Sequence, residues 1–249
     1  MFFEEILYLL RDNKKFPYYA AERRIDLLIN MFLEQILTAF YNNEKVNFVV
    51  PEFPLKLGSN NQADKLDYLC AFDSTKQPIF VELKTDTISY KSTQASFYIE
   101  HSESWPACVE GLKAIICNGR MRFSYREKYF QLIKRLISTG LVDLAGELAE
   151  ELVKRLDVLV TNISTPKDKG EFSRDLIKLS KQVHARWNGE SKLLYLVPHN
   201  NKLKNQIELS CGNKASILDF KQIGDLPINP SMSYATEFRQ LVEFLRTLQ

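Results

Sequence analysis

Asp67-Tyr-Leu-Cys-Ala-Phe72-Asp-Ser-Thr-Lys-Gln77-Pro78-Ile-Phe-Val-Glu82-Leu-Lys84 is the stretch that decides the fold. Tyr68–Phe72 and Pro78–Leu83 are short runs of apolar, aromatic and branched residues, the composition of strands. The polar segment 73–77 carries turn formers, and Pro78 stands where a strand tolerates a missing N–H. The segment therefore reads as a β-hairpin. Side chains alternate along a strand, so Ile79, Val81 and Leu83 share one face and Phe80, Glu82 and Lys84 the other. Asp67 opens the first strand and should lie near the end of the second. Two carboxylates and an ammonium on one face are costly unless a metal or a substrate uses them. Taken alone, Glu82-Leu-Lys84 would be a weak surface ion pair. The apolar strand that carries it and the upstream Asp67 argue against that.

Working outward, residues 19–41 repeat apolar positions at Ile25, Leu28, Ile29, Phe32, Leu33, Ile36, Leu37 and Phe40. That is the helical period of 3.6. Glu34 falls on the opposite side, as a solvated charge. Glu22 sits one turn before the apolar stripe, either as an N-terminal dipole partner or as an active-site carboxylate. Residues 91–100 should be helical, which sets Gln94 and Tyr98 one turn apart on one face.

Asp67 followed by Glu82-Leu-Lys84 resembles the Asp…(Asp/Glu)-x-Lys signature of the PD-(D/E)XK nuclease superfamily. Gln94-Ala-Ser-Phe-Tyr98 is similar to the Gln-x-x-x-Tyr motif of its RecB-like branch. Leu66 stands where the name-giving proline would be. The resemblance spans about residues 18–100 and the strand at 193–198. It implies an α/β, restriction-endonuclease-like αβββαβ core, with a mixed four-stranded central sheet flanked by helices. It implies a metal-dependent deoxyribonuclease in which Asp67, Glu82 and the Leu83 backbone carbonyl hold Mg²⁺ or Mn²⁺. Lys84 would assist the attacking water, and Glu22 would add a carboxylate from the helix. Gln94 and Tyr98 would position DNA or Lys84. The alternative is a catalytically silent module of the same fold that binds nucleic acid or a protein partner.

The rest of the chain reads as one nuclease-like domain over 1–249 with a helical insertion at 104–187. A short helix is expected at 2–11 and a first strand at Phe48–Leu57, interrupted by Pro51 and Pro54. Helices are expected at Tyr125–Ser138, Val142–Leu156 and 172–187, with a loop at Thr161–Gly170. Lys192–Val197 reads as a buried strand, Gln206–Leu209 and Ser216–Phe220 as weaker ones, and Ser233–Leu248 as a closing helix. Between Leu112 and Arg135 the insertion carries seven Lys/Arg against one acid, Glu127. Phe123, Tyr125, Tyr129 and Phe130 are interleaved with them. Arg120, Arg122 and Arg126 are the candidate substrate-binding cations of such a phosphate-tracking, base-stacking surface. The rival reading makes the aromatics core and the charges a solvated face.

Composition excludes other classes. The 249 residues are 45% hydrophobic and 26% charged, those of an ordinary globular chain, and the net charge is only +2. Nucleic-acid affinity would therefore come from local patches. No apolar run approaches a membrane span, and the start lacks a secretory pattern, so a cytoplasmic location is expected. The four cysteines are scattered, with no zinc or iron–sulfur spacing. No P-loop, dinucleotide fingerprint or nucleophile elbow occurs, so there is no ATP site in this chain. The oligomeric state stays open.

Overall fold

A computed structural model describes residues 6–8, 22–56, 64–227 and 234–247; the side chains of residues 22–24 lie outside the description. Of the short helix expected at 2–11, only residues 6–8 are described, and these are helical.

Helix α1 (Glu22–Phe40) leads into β1 (Val46–Leu55), β2 (Asp64–Phe72) and β3 (Pro78–Leu83). Next come α2 (Ser92–Ser102), α3 (Trp105–Ile116) and α4 (Phe123–Ser138). A short strand β4 (Val142–Leu144) precedes α5 (Glu147–Asn162) and α6 (Pro166–Lys181), and β5 (Val183–Ala185) follows. The chain closes with β6 (Lys192–Val197), α7 (Asn201–Cys211), β7 (Ser216–Asp219), α8 (Phe220–Asp225) and α9 (Ala235–Arg246). The molecule is mixed α/β. Its central sheet has five strands in the order β1-β2-β3-β6-β7, one more than the four expected, and β4 and β5 pair separately as an antiparallel ribbon. β1, β2 and β3 form an antiparallel meander, whereas β6 joins β3 in parallel and β7 joins β6 in parallel.

Every residue of β3 is buried because the sheet is covered on both faces. One face, with Tyr68, Cys70, Ile79, Val81, Leu194 and Leu196, packs on α1, α8 and α9. The apolar stripe of α1 supplies Ile25, Ile29, Leu33 and Leu37, all fully buried, each worth about 1.5–3 kcal/mol of burial. The other face, with Leu69, Ala71, Phe80, Leu193, Tyr195 and Val197, packs on α2–α7 and holds Trp105 at its centre.

β1 is the edge strand and carries an irregularity between Phe48 and Val50 rather than an interruption at its prolines. The free backbone groups there are satisfied from two sides. Glu34, expected to be merely solvated, accepts from the Phe48 N–H at 2.7 Å. Arg135 donates to the Val49 and Phe48 carbonyls at 3.0 and 3.2 Å, which ties α4 to the edge.

Four local expectations are corrected, three of them by a capping or turn residue. Val142–Leu156 is not one helix: Gly146, at φ 84°, separates β4 from α5. Thr161–Gly170 is largely helical, because Thr165 and Asp168 form a capping box with Pro166 in the first turn of α6. That helix ends at Lys181, and β5 takes part of the span read as helix to 187. Gln206–Leu209 is helical rather than extended, since Asn200 caps α7 by accepting from the Leu203 N–H at 3.1 Å.

Candidate active site

The meander brings the hairpin groups together by register. Tyr68 stands opposite Val81, and Asp67, the residue before it, reaches Glu82 and the charge of Lys84. Glu82 and Lys84 alternate with Val81 and Leu83 and so lie on the α2 side of the sheet. An Asp67 carboxylate oxygen accepts from the Leu83 N–H at 2.7 Å. In an extended residue the carbonyl points to the same side as its N–H, which directs Leu83's toward Asp67.

Lys84 is the hub. Its Nζ donates to Glu82 Oε1 at 2.7 Å, with both side chains almost wholly buried, at 5% and 2% exposure. It also donates to the Gln94 Oε1 at 3.4 Å, and its backbone N–H donates to the Leu196 carbonyl at 2.9 Å. Gln94 Nε2 donates to the Tyr98 hydroxyl at 2.7 Å, and that hydroxyl donates to the Lys65 carbonyl at 2.8 Å. Tyr98 is fully buried, so it holds Gln94 and does not reach solvent.

Electrostatics follow from that burial. Desolvation, reinforced by the negative charge of Asp67, pushes the Glu82 carboxyl up to about 8, and the Lys84 ammonium offsets this only in part. Desolvation also raises Asp67, against the Leu83 N–H and Lys84, which favour its charged form. Glu82 Oε2 is buried with no hydrogen-bond partner among the described residues. A buried carboxylate oxygen without a donor is costly; a proton shared with the Asp67 carboxyl, or a cation between the two groups, would satisfy it. No group of three or more His, Cys, Asp or Glu side chains suited to a metal occurs among the described residues. Mg²⁺ accepts fewer protein ligands and retains waters, so two carboxylates and a carbonyl fit it.

Helix α1 covers the face of the sheet opposite Glu82 and Lys84. Glu22 begins the helix, but its side chain lies outside the described residues. Asp26, outside the candidates that the sequence names, is close enough for its charge to raise Asp67 further. The Tyr68 hydroxyl donates to the Asp26 carbonyl at 3.0 Å and pins the start of α1 there.

The candidate cations of the insertion separate. Arg120 and Arg122 are exposed, and neither side chain has an ion-pair partner among the described residues. Arg126 is not a substrate contact. It is 6% exposed and donates to the Ile116 and Asn118 carbonyls at 3.1 Å each, closing the C-terminus of α3. Periodicity carried that information, since Arg126 precedes Phe130 and Ile133 on the buried stripe of α4. Phe130 is core, whereas Tyr125 is exposed.

No family model matches the chain, and no curated protein or solved structure matches it either. Among the described residues, no helix is long and apolar enough to cross a membrane.

Proposed function

We propose that this protein is a metal-dependent nuclease that hydrolyses phosphodiester bonds in DNA. The observation that carries the reading is the cluster of half-buried Asp67 with buried Glu82 and Lys84, one Glu82 oxygen being left without a donor. The order α1-β1-β2-β3-α2-β6, with β6 parallel to β3, supports a restriction-endonuclease-like αβββαβ core. Asp67, Glu82 and the Leu83 carbonyl would hold Mg²⁺ or Mn²⁺. Such an ion, when bound, lowers the pKa of a water and offsets charge on the scissile phosphate. Lys84 orients the attacking water and neutralises phosphate charge. Gln94 holds the ammonium in place, and Tyr98 holds Gln94 through the Lys65 carbonyl.

A second reading, a silent module that binds without cutting, is favoured by one feature. The Glu82 and Lys84 side chains are nearly inaccessible, at 2% and 5% exposure. One assay separates the two. Linear, circular and single-stranded DNA are incubated with Mg²⁺ or Mn²⁺ and the wild-type, Asp67→Ala or Lys84→Ala protein. The nuclease reading expects cleavage that falls by at least about a hundredfold in either variant. Cleavage surviving both substitutions would sink the site, and tight binding without cleavage would favour the silent module.

A further inference from the structure

We infer that the groove between the edge strand β1 and helix α4 is a binding track for single-stranded nucleic acid, leading to the Asp67–Glu82–Lys84 cluster. The inference rests on the nuclease reading for its purpose, but binding can be measured without cleavage.

The groove has a volume of about 540 Å³ and continues into a second hollow of about 280 Å³. Tyr125 and Tyr129 line both hollows, one helical turn apart on one face of α4. Tyr125 is 52% exposed, unusual for a large aromatic side chain on a packed helix, and Lys128 lies 5.6 Å from its ring centroid. The facing wall is Val50, Pro51 and Pro54 of β1. Prolines on an edge strand block pairing with another strand, so this wall is unsuited to an added β-strand from a protein partner.

The charge is one-sided. Lys65, Lys128 and Arg135 line the first hollow against Glu52 alone, and Lys56, Arg120 and Arg122 line the second with no acid. The whole chain carries only +2, so its remaining residues sum to a net negative charge. Three cations are committed only weakly or not at all. Arg120 and Arg122 have no ion pair among the described residues, and Lys128 has only the Tyr125 ring. Lys65 ties the track to the chemistry: its side chain lines the groove, its carbonyl holds Tyr98, and Asp67 follows two residues later.

Stacking aromatics beside phosphate-neutralising cations is the arrangement that holds unpaired bases. A duplex stacks its bases on each other and has no free faces for Tyr125 and Tyr129. The occupant is therefore a single strand, and neither stacking nor phosphate contact reads the sugar.

The test is fluorescence anisotropy with labelled single-stranded oligo(dT), oligo(U) and a DNA duplex, in EDTA so that no hydrolysis occurs. The inference expects both single strands to bind more tightly than the duplex. Tyr125→Ala should weaken single-strand binding about tenfold while Tyr125→Phe leaves it nearly unchanged, because the phenyl face keeps the stacking. Arg122→Ala and Lys128→Ala should each reduce the slope of log affinity against log salt by about 0.7. Melting temperature checks that each variant is folded, and the exposure of Tyr125 makes that outcome safe. Wild-type affinity in Tyr125→Ala, or a duplex bound as tightly as the single strand, overturns the track. Cleavage that persists while the track fails leaves the nuclease reading standing. Single-strand binding through Tyr125 in a protein that never cuts supports the track and overturns only the nuclease reading.

Discussion

At Glu82 the protein holds a carboxyl group where water cannot help it ionise, beside a second carboxylate. The folded state keeps its proton up to about pH 8, whereas a free glutamate carboxyl ionises near 4.5. A raised folded pKa means that stability from this group is present at low pH and is lost as pH rises through the folded value. Urea denaturation between pH 5 and 9 should show stability falling by a few kcal/mol from this group, with a flatter profile in Glu82→Gln. An equal slope in the variant would assign the pH dependence elsewhere. Asp67, Glu82 and Lys84 could be named from the sequence because strand alternation fixes which side chains share a face. Asp26 could not be read the same way. Its proximity to Asp67 depends on how α1 crosses the far side of the sheet, and no local periodicity encodes that crossing.

Among the elements, α4 shows how a helix can bear basic residues for two unrelated reasons. Arg126 lies on its buried stripe and completes the end of α3, while Arg122 at its N-cap faces solvent. Arg126→Ala should therefore lower stability by about 2–3 kcal/mol, the cost of unpairing two buried carbonyls from a charged donor, and leave nucleic-acid affinity of the folded protein unchanged. Arg122→Ala should do the reverse. Thermal melts and anisotropy on the same two samples check both halves, and a weakened complex in folded Arg126→Ala would return that residue to the binding surface. The long elements, α1, β2, β3 and β6, were legible because each presents a full period of apolar positions. β4 and β5, three residues each, are too short to show a period. The start of α7 turned on one capping residue, Asn200, which outweighed the strand-like appearance of 206–209.

For the molecule as a whole, the decisive connection is the parallel pairing of β3 with β6, which joins Leu83 to Leu196 across the entire insertion. Closing so long a loop is slow, because its entropy must be lost before the pairing rewards it. Refolding of a Trp187→Phe variant followed by Trp105, buried in the α2-side cluster, should show a main phase in the range of about 10 ms to seconds. Complete recovery within about a millisecond would mean that the environment of Trp105 forms before β6 docks. The same connection has a consequence during synthesis. Once Leu83 has been made, the ribosome must add residues up to Lys192 before the partner of β3 exists, an interval of roughly 5–20 s. Throughout it, the strand bearing Glu82 is an uncovered apolar edge, open to pairing with nascent neighbours. The pace of translation through 84–192 and access to chaperones thus bear directly on the yield of this protein in a cell.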